Sequence, residues 1–524
     1  MQRKRFRMTA TELARTARQV RVAAWHLRRG GLPQLRAWQA RQSRSGRASA
    51  RGTLDRRGRL TFPDWPVREH RVRRPGLRVG VILDEFSALA FGFEWDQVPL
   101  DPSTWAEQLA DPGIDLLFVE AAWNGNGGAW AYQLTGSRAP SPALRALVDA
   151  CRAHGIPTVF WNKEDPAHYA DFLDTARLFD VVFTTDVDSR GRYVQDLGTD
   201  RVWVLPFAAA PELHNPVREL ANTADRDLAF AGTYYAHRFP ERRAQMDLLL
   251  GAALRAGARM ESGLDIFSRM LGREERYQFP APLDEYVRGA LTYAQMLTAY
   301  RAYKVFLNVN SVTSSPSMCA RRIFEITASG TPVVSTPSAA IGEFFAADEV
   351  LEVSDAATAE QLLRALVANP ALRDRMVHRG QRRIWAGHTY CHRVNEIHER
   401  TGCSSAVVKD PTVSALAVTN RPHQVEHVLR QLAGQRGCRS QVILLSHGFE
   451  VEPALVDRAR EWGLDHLVTL TGPADASLGT CLNLAIEAAD GELLAKVDDD
   501  DLYGPHYLAD QRAALGYSGA DIVG

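Results

Sequence analysis

From residue 77 onward the chain alternates short apolar runs with segments of helical periodicity, in three successive series. This alternation constrains the fold most, because strands that alternate with helices close into parallel, doubly wound sheets covered on both faces. The first series has apolar runs at 77–83, 116–120, 158–161, 181–184 and 202–205, with a helix predicted at 141–154 and closed by Gly155. The second starts at Asp227-Leu-Ala-Phe-Ala-Gly and continues at 305–309, 332–335 and 350–353, with helical stretches near 240–258 and 358–400. The third opens at 412–419 and continues at 441–445 and 493–497. The polar stretch 214–225 reads as a hinge. The expected fold is therefore α/β, with two Rossmann-like doubly wound domains (76–214 and 225–400) and a partial nucleotide-binding α/β domain (411–524). Two such domains in succession leave a cleft between the carboxyl ends of their sheets, where open α/β folds bind ligands.

Charge is balanced overall at 62 Lys+Arg and 62 Asp+Glu, but not along the chain: residues 1–74 hold 21 basic against 4 acidic residues, leaving 41 against 58 in the remainder. Residues 1–40 form a predicted basic amphipathic arm. Thr9 and Glu12 fit a capping box, and Leu13, Ala17, Val20, Ala24 and Leu27 share one stripe. Such a helix either lies on an anionic membrane surface or docks a partner, or it folds back on the chain's own acidic body. Residues 41–75 are Arg/Ser/Gly-rich and read as a linker. The arm lacks interleaved aromatics, so no specific nucleic-acid partner is expected. Six scattered cysteines without a Cys-x-x-Cys pair read as reduced thiols of a cytoplasmic protein, not a disulfide framework or zinc site. No run approaches the roughly 18 apolar residues of a membrane span, and the basic N-terminus lacks the apolar core of a secretory signal. The expected location is cytoplasmic, with peripheral contact through the arm at the inner face of the plasma membrane.

Two constellations carry chemistry. In Arg321-Arg322-Ile-Phe-Glu325-Ile-Thr-Ala-Ser-Gly330-Thr331-Pro332-Val-Val, Glu325 falls one helical turn from both arginines. A carboxylate accepts a vicinal ribose diol bidentately, and guanidinium groups clamp a diphosphate. A surface Arg–Glu pair alone is worth only ~0.3–0.5 kcal/mol; the Gly-Thr-Pro-Val-Val turn that follows sets this one apart. The other constellation is the run of four aspartates at 498–501, directly after an apolar strand pattern. Crowded carboxylates stay ionised only with positive charge among them, and an Asp-x-Asp at a strand end suits Mg²⁺ or Mn²⁺ bridging a diphosphate. Gly232-Thr233-Tyr234-Tyr235 follows a strand pattern as a phosphate-facing turn does, but it is not a Gly-x-Gly-x-x-Gly fingerprint, which argues against a nicotinamide cofactor. The Trp123-Asn-Gly-Asn-Gly-Gly run is either a flexible loop that approaches a sugar or an ordinary turn.

The Glu325 run resembles the donor-binding helix of GT-B glycosyltransferases, Glu-Ala-x-Ala-x-Gly-x-Pro-Val-Val, and residues 77–400 resemble the CgeB-like glycosyltransferases. The runs that carry the resemblance include Val79-Gly-Val-Ile-Leu-Asp84-Glu85-Phe86-Ser87, Phe118-Val-Glu120-Ala-Ala-Trp-Asn124-Gly-Asn126-Gly and Val159-Phe-Trp-Asn162-Lys163-Glu164-Asp165-Pro166. They continue with Leu205-Pro-Phe-Ala-Ala, Phe230-Ala-Gly232-Thr-Tyr-Tyr235 and Tyr303-Lys304-Val-Phe-Leu-Asn308-Val-Asn310-Ser311. The resemblance implies a nucleoside diphosphate sugar held by the second domain, with Glu325 on the ribose and Arg321, Arg322 and Lys304 near the diphosphate. Gly232, Thr233, Tyr234, Asn308, Asn310, Gly330 and Thr331 fall within its donor-binding runs. No metal is implied there. A general base has to come from the first domain, where Asp84, Glu85 and Glu120 fall at predicted strand ends and His168 follows the Glu164-Asp165-Pro166 loop. One departure is Ser317, which stands where a Glu-x7-Glu motif has its first glutamate, so a retaining outcome has no support.

Residues 411–524 resemble the N-terminal half of family 2, GT-A-fold glycosyltransferases, whose pattern is Asp-x-Asp-Asp-x-x-x-Pro. This implies donor contacts from Asn420 and Arg421 and a divalent cation, Mn²⁺ or Mg²⁺, on Asp498 and Asp500, with Asp500 the direct ligand. The sequence stops about where the acceptor-binding half is expected. The expected activity is transfer of a sugar, of hexosyl type, from a nucleoside diphosphate donor to a hydroxyl of a glycan or lipid-linked acceptor in bacterial cell-envelope synthesis. The alternatives are a non-catalytic nucleotide-sugar-binding scaffold and a GT-B-fold polyol-phosphate transferase or sugar epimerase.

Overall fold

A computed structural model describes residues 28, 31, 49–67, 71–110, 113–221, 223–403 and 407–524. The amphipathic arm predicted at 1–40 thus lies almost wholly outside the described residues.

The first domain is built on six parallel strands in the order Trp95–Pro99, Arg74–Ile82, Leu116–Glu120, Thr158–Asn162, Val181–Thr184, Val202–Val204. Leu116–Glu120 and Thr158–Asn162 are buried at every residue, as strands covered by helices on both faces must be. Strand order reverses between Arg74–Ile82 and Leu116–Glu120, and the crevice beyond their carboxyl ends is where such sheets bind ligands.

The second domain repeats the principle with six parallel strands ordered Val287–Gly289, Leu264–Phe267, Arg226–Ala231, Tyr303–Asn308, Val333–Ser335, Leu351–Glu352. Its reversal lies between Arg226–Ala231 and Tyr303–Asn308. The third sheet is four parallel strands, Leu467–Gly472, Ser440–His447, Val413–Thr419, Leu493–Val497, reversing between the last two. The α/β expectation and its three sheets hold.

The second domain returns its last helices to the first. Arg393, in the helix Tyr390–Thr401, donates to the carbonyls of Pro206 (2.8 Å) and Phe207 (3.0 Å), and the Tyr390 ring meets Phe91 edge-on at 4.8 Å. The third module rests on the helix Pro370–Gly387 through Asp510, which accepts from Arg382 (2.8 and 2.5 Å) and pairs with His378 (3.1 Å).

Four strands were not anticipated. Trp95–Pro99, Leu264–Phe267, Val287–Gly289 and Leu467–Gly472 are short or carry polar residues that break the apolar run, and three of them belong to the outer strands of their sheets. Two segments need correction. The expected linker forms a small hairpin, Thr53–Leu54 with Leu60–Thr61, and then buries Leu60, Phe62 and Trp65 against the second domain. Phe62 meets Phe267 (6.0 Å) and Tyr303 (6.2 Å), and the Arg301 guanidinium lies 3.9 Å over Trp65. The expected hinge begins with buried His214 and Asn215, whose backbone Arg301 anchors at 2.8 Å, so its polarity marks internal hydrogen bonding rather than solvent exposure.

Candidate functional site

The two reversal points face each other across the domain gap, and the best-formed cluster bridges it. On the first domain, Lys163 is 2% exposed and its Nζ donates to Asp84 Oδ2 (2.6 Å) and Glu120 Oε1 (2.9 Å). Glu120 is fully buried at the end of its strand; burial raises its pKa, Lys163 opposes this, and the net shift is upward. Burial alone lowers the Lys163 pKa, but the two carboxylates outweigh it and hold the ammonium charged. Lys163 Nζ also lies 4.3 Å from the Phe86 ring, and the Arg321 guanidinium from the second domain lies 3.5 Å from the same ring.

Arg321 in turn is held by Glu325 at 3.1 Å. Glu325 is 1% exposed, and its two oxygens accept from Tyr293 (2.9 Å) and Tyr300 (2.9 Å). Behind Tyr293 sits His214, whose Nδ1 accepts from the Ala210 amide (3.0 Å), so Nε2 carries the proton and donates to the Tyr293 oxygen (2.9 Å). Burial drives His214 down to about 4; it is a neutral relay at neutral pH. Burial raises the Glu325 pKa, yet Arg321, His214 and the two tyrosines more than offset this, and the net shift is downward. The expectation that Glu325 accepts a ribose diol is corrected here. Both oxygens already serve interior donors, so the carboxylate acts by fixing Arg321.

A second cationic cluster lies at the second domain's reversal point. Arg322 donates to the Ala231 carbonyl (2.5 Å) at the end of one central strand, and Arg242 donates to Ser311 Oγ (2.8 Å) just beyond the other. Burial lowers the Arg242 pKa to about 10, and the neighbouring Arg322 lowers it further. The Nε atoms of both arginines are buried without a hydrogen-bond partner. Their helices, Pro240–Gly257 and Arg321–Ala328, start without a side-chain cap, so free amide groups and positive dipole ends converge with the guanidiniums. Gly232 makes room: a Cβ there would lie 2.8 Å from Phe230 and 3.3 Å from Arg242. Two adjoining guanidiniums with unsatisfied donors are a diphosphate cradle in chemical terms. Arg242 was missed in the sequence because Phe239-Pro240-Glu241-Arg242-Arg243 matches no motif; its position one turn into the helix after the first strand was the available signal.

Several expected donor contacts point elsewhere. Lys304 lies at the amino end of its strand and pairs with Asp227 at 2.7 Å, away from the cleft. Gly330 and Thr331 lie at the amino end of Val333–Ser335; Thr331 Oγ1 donates to the Tyr300 carbonyl (2.5 Å) and Gly330, at φ +88°, packs near Pro216. Asn308 and Asn310 are buried and bonded to each other (3.0 Å) and to Ser335, bracing the loop toward Ser311. Tyr234 turns inward onto Phe279 (5.4 Å), while Thr233 is 8% exposed beside Gly232.

In the first domain, Asp84 keeps partial exposure (30%) at the cleft, whereas Glu85 faces solvent. His168 turns to Asp171 (2.7 Å) and the Trp123 ring (4.9 Å) instead of the Asp84 cluster. Asn126 fastens the Trp123–Gly128 turn by donating to the Val81 and Leu100 carbonyls (2.8 Å each), so that turn is pinned to the sheet.

In the third module, Asp498 and Asp500 are half exposed at the end of Leu493–Val497 as expected, but the positive charge among the aspartates is Arg421. It bonds buried Asp499 and reaches Asp500 Oδ2 at 2.9 Å, while Lys496 pairs with Asp498. Asn420 is exposed at the same turn. Among the described residues no three His, Cys, Asp or Glu side chains converge on a metal position. A cation here would draw on the free edges of Asp498 and Asp500 and on ligands from outside the protein.

Residues 249–399, which contain the Arg321–Glu325 helix, match a family described as glycosyl transferase-like. This agrees with the expected glycosyltransferase function. Similar solved structures include HepE of Anabaena with UDP-glucose, at 13% identity over 62% of this chain and 90% of that one, TM-score 0.39. Others are sucrose-phosphate synthase of Thermosynechococcus elongatus (14%, 57% and 75%, 0.36) and the UDP-forming α,α-trehalose-phosphate synthase of Burkholderia vietnamiensis (14%, 57% and 76%, 0.36). No curated protein matches the chain. Among the described residues no helix is long and apolar enough to cross a membrane.

Proposed function

We propose that this protein transfers a sugar from a nucleoside diphosphate donor to an acceptor hydroxyl in the cleft between its first two domains. The observation that carries this is the Arg242–Arg322 pair, unmatched by any carboxylate bond and set at the reversal point of the second sheet. In the proposed reaction the diphosphate rests against the two guanidiniums and the two helix starts, which take up charge as the sugar–phosphate bond breaks. Asp84 accepts the acceptor's proton as the new glycosidic bond forms. Its Oδ2 is held by Lys163 (2.6 Å), which keeps the carboxylate ionised and oriented. With Ser317 in place of a glutamate, an inverting displacement fits best. The CgeB-like subtype, a hexosyl donor and a glycan or lipid-linked acceptor of the cell envelope are the finer reading, supported by the sequence runs. So are a GT-A donor half at 411–524, with Mn²⁺ or Mg²⁺ on Asp498 and Asp500, and a cytoplasmic site with peripheral membrane contact through residues 1–40.

The test is donor hydrolysis and transfer by the full chain with EDTA present, across UDP-, GDP- and ADP-sugars. At least one donor is expected to turn over, Arg322→Ala to weaken its binding, and Asp84→Asn to abolish turnover while the donor still binds. Binding without turnover in any combination would establish the scaffold alternative; no binding at all would remove the donor reading.

A further inference from the structure

Beyond Gly232 the chain loops over the carboxyl end of Arg226–Ala231 before entering the helix Pro240–Gly257. Tyr234 packs inward, but Tyr235 turns outward and meets Tyr277 edge-to-face, with ring centres 5.7 Å apart at 84°. Tyr277 comes from the segment after Leu264–Phe267, the neighbouring strand, and also meets His237 at 5.5 Å and 80°. Tyr235 and Tyr277 are half-buried and His237 is exposed. The Arg238 guanidinium lies 4.6 Å from the Tyr235 ring, and Arg276, paired with Glu274 at 2.6 Å, lies 5.2 Å from Tyr277. The loop is held in shape: Arg243 donates to the carbonyls of Tyr235 (2.9 Å) and Arg238 (2.7 Å), and Phe239 sits at φ +57°, a conformation that costs a non-glycine residue energy.

We propose that Tyr235, His237 and Tyr277 are the stacking platform for the donor's nucleobase; this rests on the donor reading above. Tyr235 is an electrostatic neighbour of Arg242, so the rings begin where the diphosphate cradle ends. A nucleotide whose diphosphate occupies the reversal point directs its nucleoside over the first strand and its outer neighbour; those two strands supply the rings. Partly open aromatic faces at a polar surface serve no core. They offer base-sized π surfaces that tolerate any base, and the flanking guanidiniums donate to its edge. Burial and the two nearby arginines keep His237 below its usual range, leaving a neutral ring.

Calorimetric titration of the full chain with UDP, GDP and inorganic pyrophosphate tests this. Tyr277→Ala should weaken the tightest-binding nucleotide about tenfold or more and leave pyrophosphate unchanged, with Tyr277→Phe restoring nucleotide affinity. Tyr235→Ala should repeat the pattern on the other strand, and Arg322→Ala should weaken nucleotide and pyrophosphate alike. Nucleotide affinity unchanged in both alanine variants would overturn the platform while leaving the donor site standing. A parallel loss of nucleotide and pyrophosphate binding in both would overturn it too, marking the rings as loop supports. A wild-type chain that binds neither ligand would overturn the platform and the donor reading together.

Discussion

The guanidinium of Arg321 lies 3.5 Å from the Phe86 ring, so a second-domain cation rests on a first-domain aromatic. Lys163 approaches the same ring from its own domain at 4.3 Å, and its two carboxylate partners include Asp84, the proposed base. Phe86 therefore couples the geometry of the base to that of the Glu325-bound arginine. A cation–π contact shielded from water is worth about 2 kcal/mol, and Phe86→Leu removes two of them while keeping an apolar side chain. The expected result is a fall in kcat/KM of about tenfold or more, with a melting temperature shifted by only a few degrees, read by product release and thermal unfolding.

His214 supplies a pH signature. Its pKa falls from 6.5 to about 4, burial being the largest cause. Below about pH 6.5 the unfolded chain binds a proton that the fold excludes, so this contribution to stability is complete above pH 6.5 and declines toward pH 4. By pH 5 the loss amounts to about 2 kcal/mol. Glu94 and Asp165, both raised to about 7 by burial, act in the opposite sense over the same range. A difference measurement isolates the histidine: the stability gap between wild type and His214→Gln should narrow by about 2 kcal/mol from pH 7.5 to pH 5, measured by denaturant titration.

Trp65 carries a third expectation. It is 4% exposed, its amide donates to the Ala294 carbonyl (3.0 Å), and Arg301 stacks on its ring. Trp65→Ala should cost about 3–5 kcal/mol in stability, an effect that a free linker would not show. Urea unfolding of the full chain measures it.

Trp65 also shows why part of the fold was hidden in the sequence. The three sheets were legible because buried parallel strands are continuous apolar runs, and Leu116–Glu120 or Leu493–Val497 can be read straight off the chain. Around Trp65 the arginines and glycines dominate composition, while the buried residues Leu60, Phe62 and Trp65 are too widely spaced to form a run. At the site, Arg321 and Asp84 were legible as charged residues in patterned places. Lys304 looked equally apt but sits at the wrong end of its strand, and sequence spacing does not by itself tell which pole a residue occupies. Arg242 was invisible for the converse reason: no pattern marks it, and only the crossing of two strand ends brings it to Arg322.

The last prediction concerns the aspartates. Arg421 bonds both Asp499 and Asp500, and its hydrogen bond is the main cause lowering the Asp500 pKa. Asp499 is 5% exposed and also accepts from Thr419, so it is the internal anchor of this turn, while Asp498 and Asp500 point outward. If Mn²⁺ binds, it takes the outward pair and has to share Asp500 with the guanidinium. Asp500→Asn should then abolish the Mn²⁺-dependent increment in UDP affinity without altering the thermal unfolding of the third module. Asp499→Asn should instead lower that unfolding temperature, because Arg421 loses its buried partner. Titrations with and without Mn²⁺, paired with unfolding scans, separate the two residues. A Mn²⁺ increment that survives Asp500→Asn would rule out the metal assignment and leave Arg421 as the only cation this turn requires.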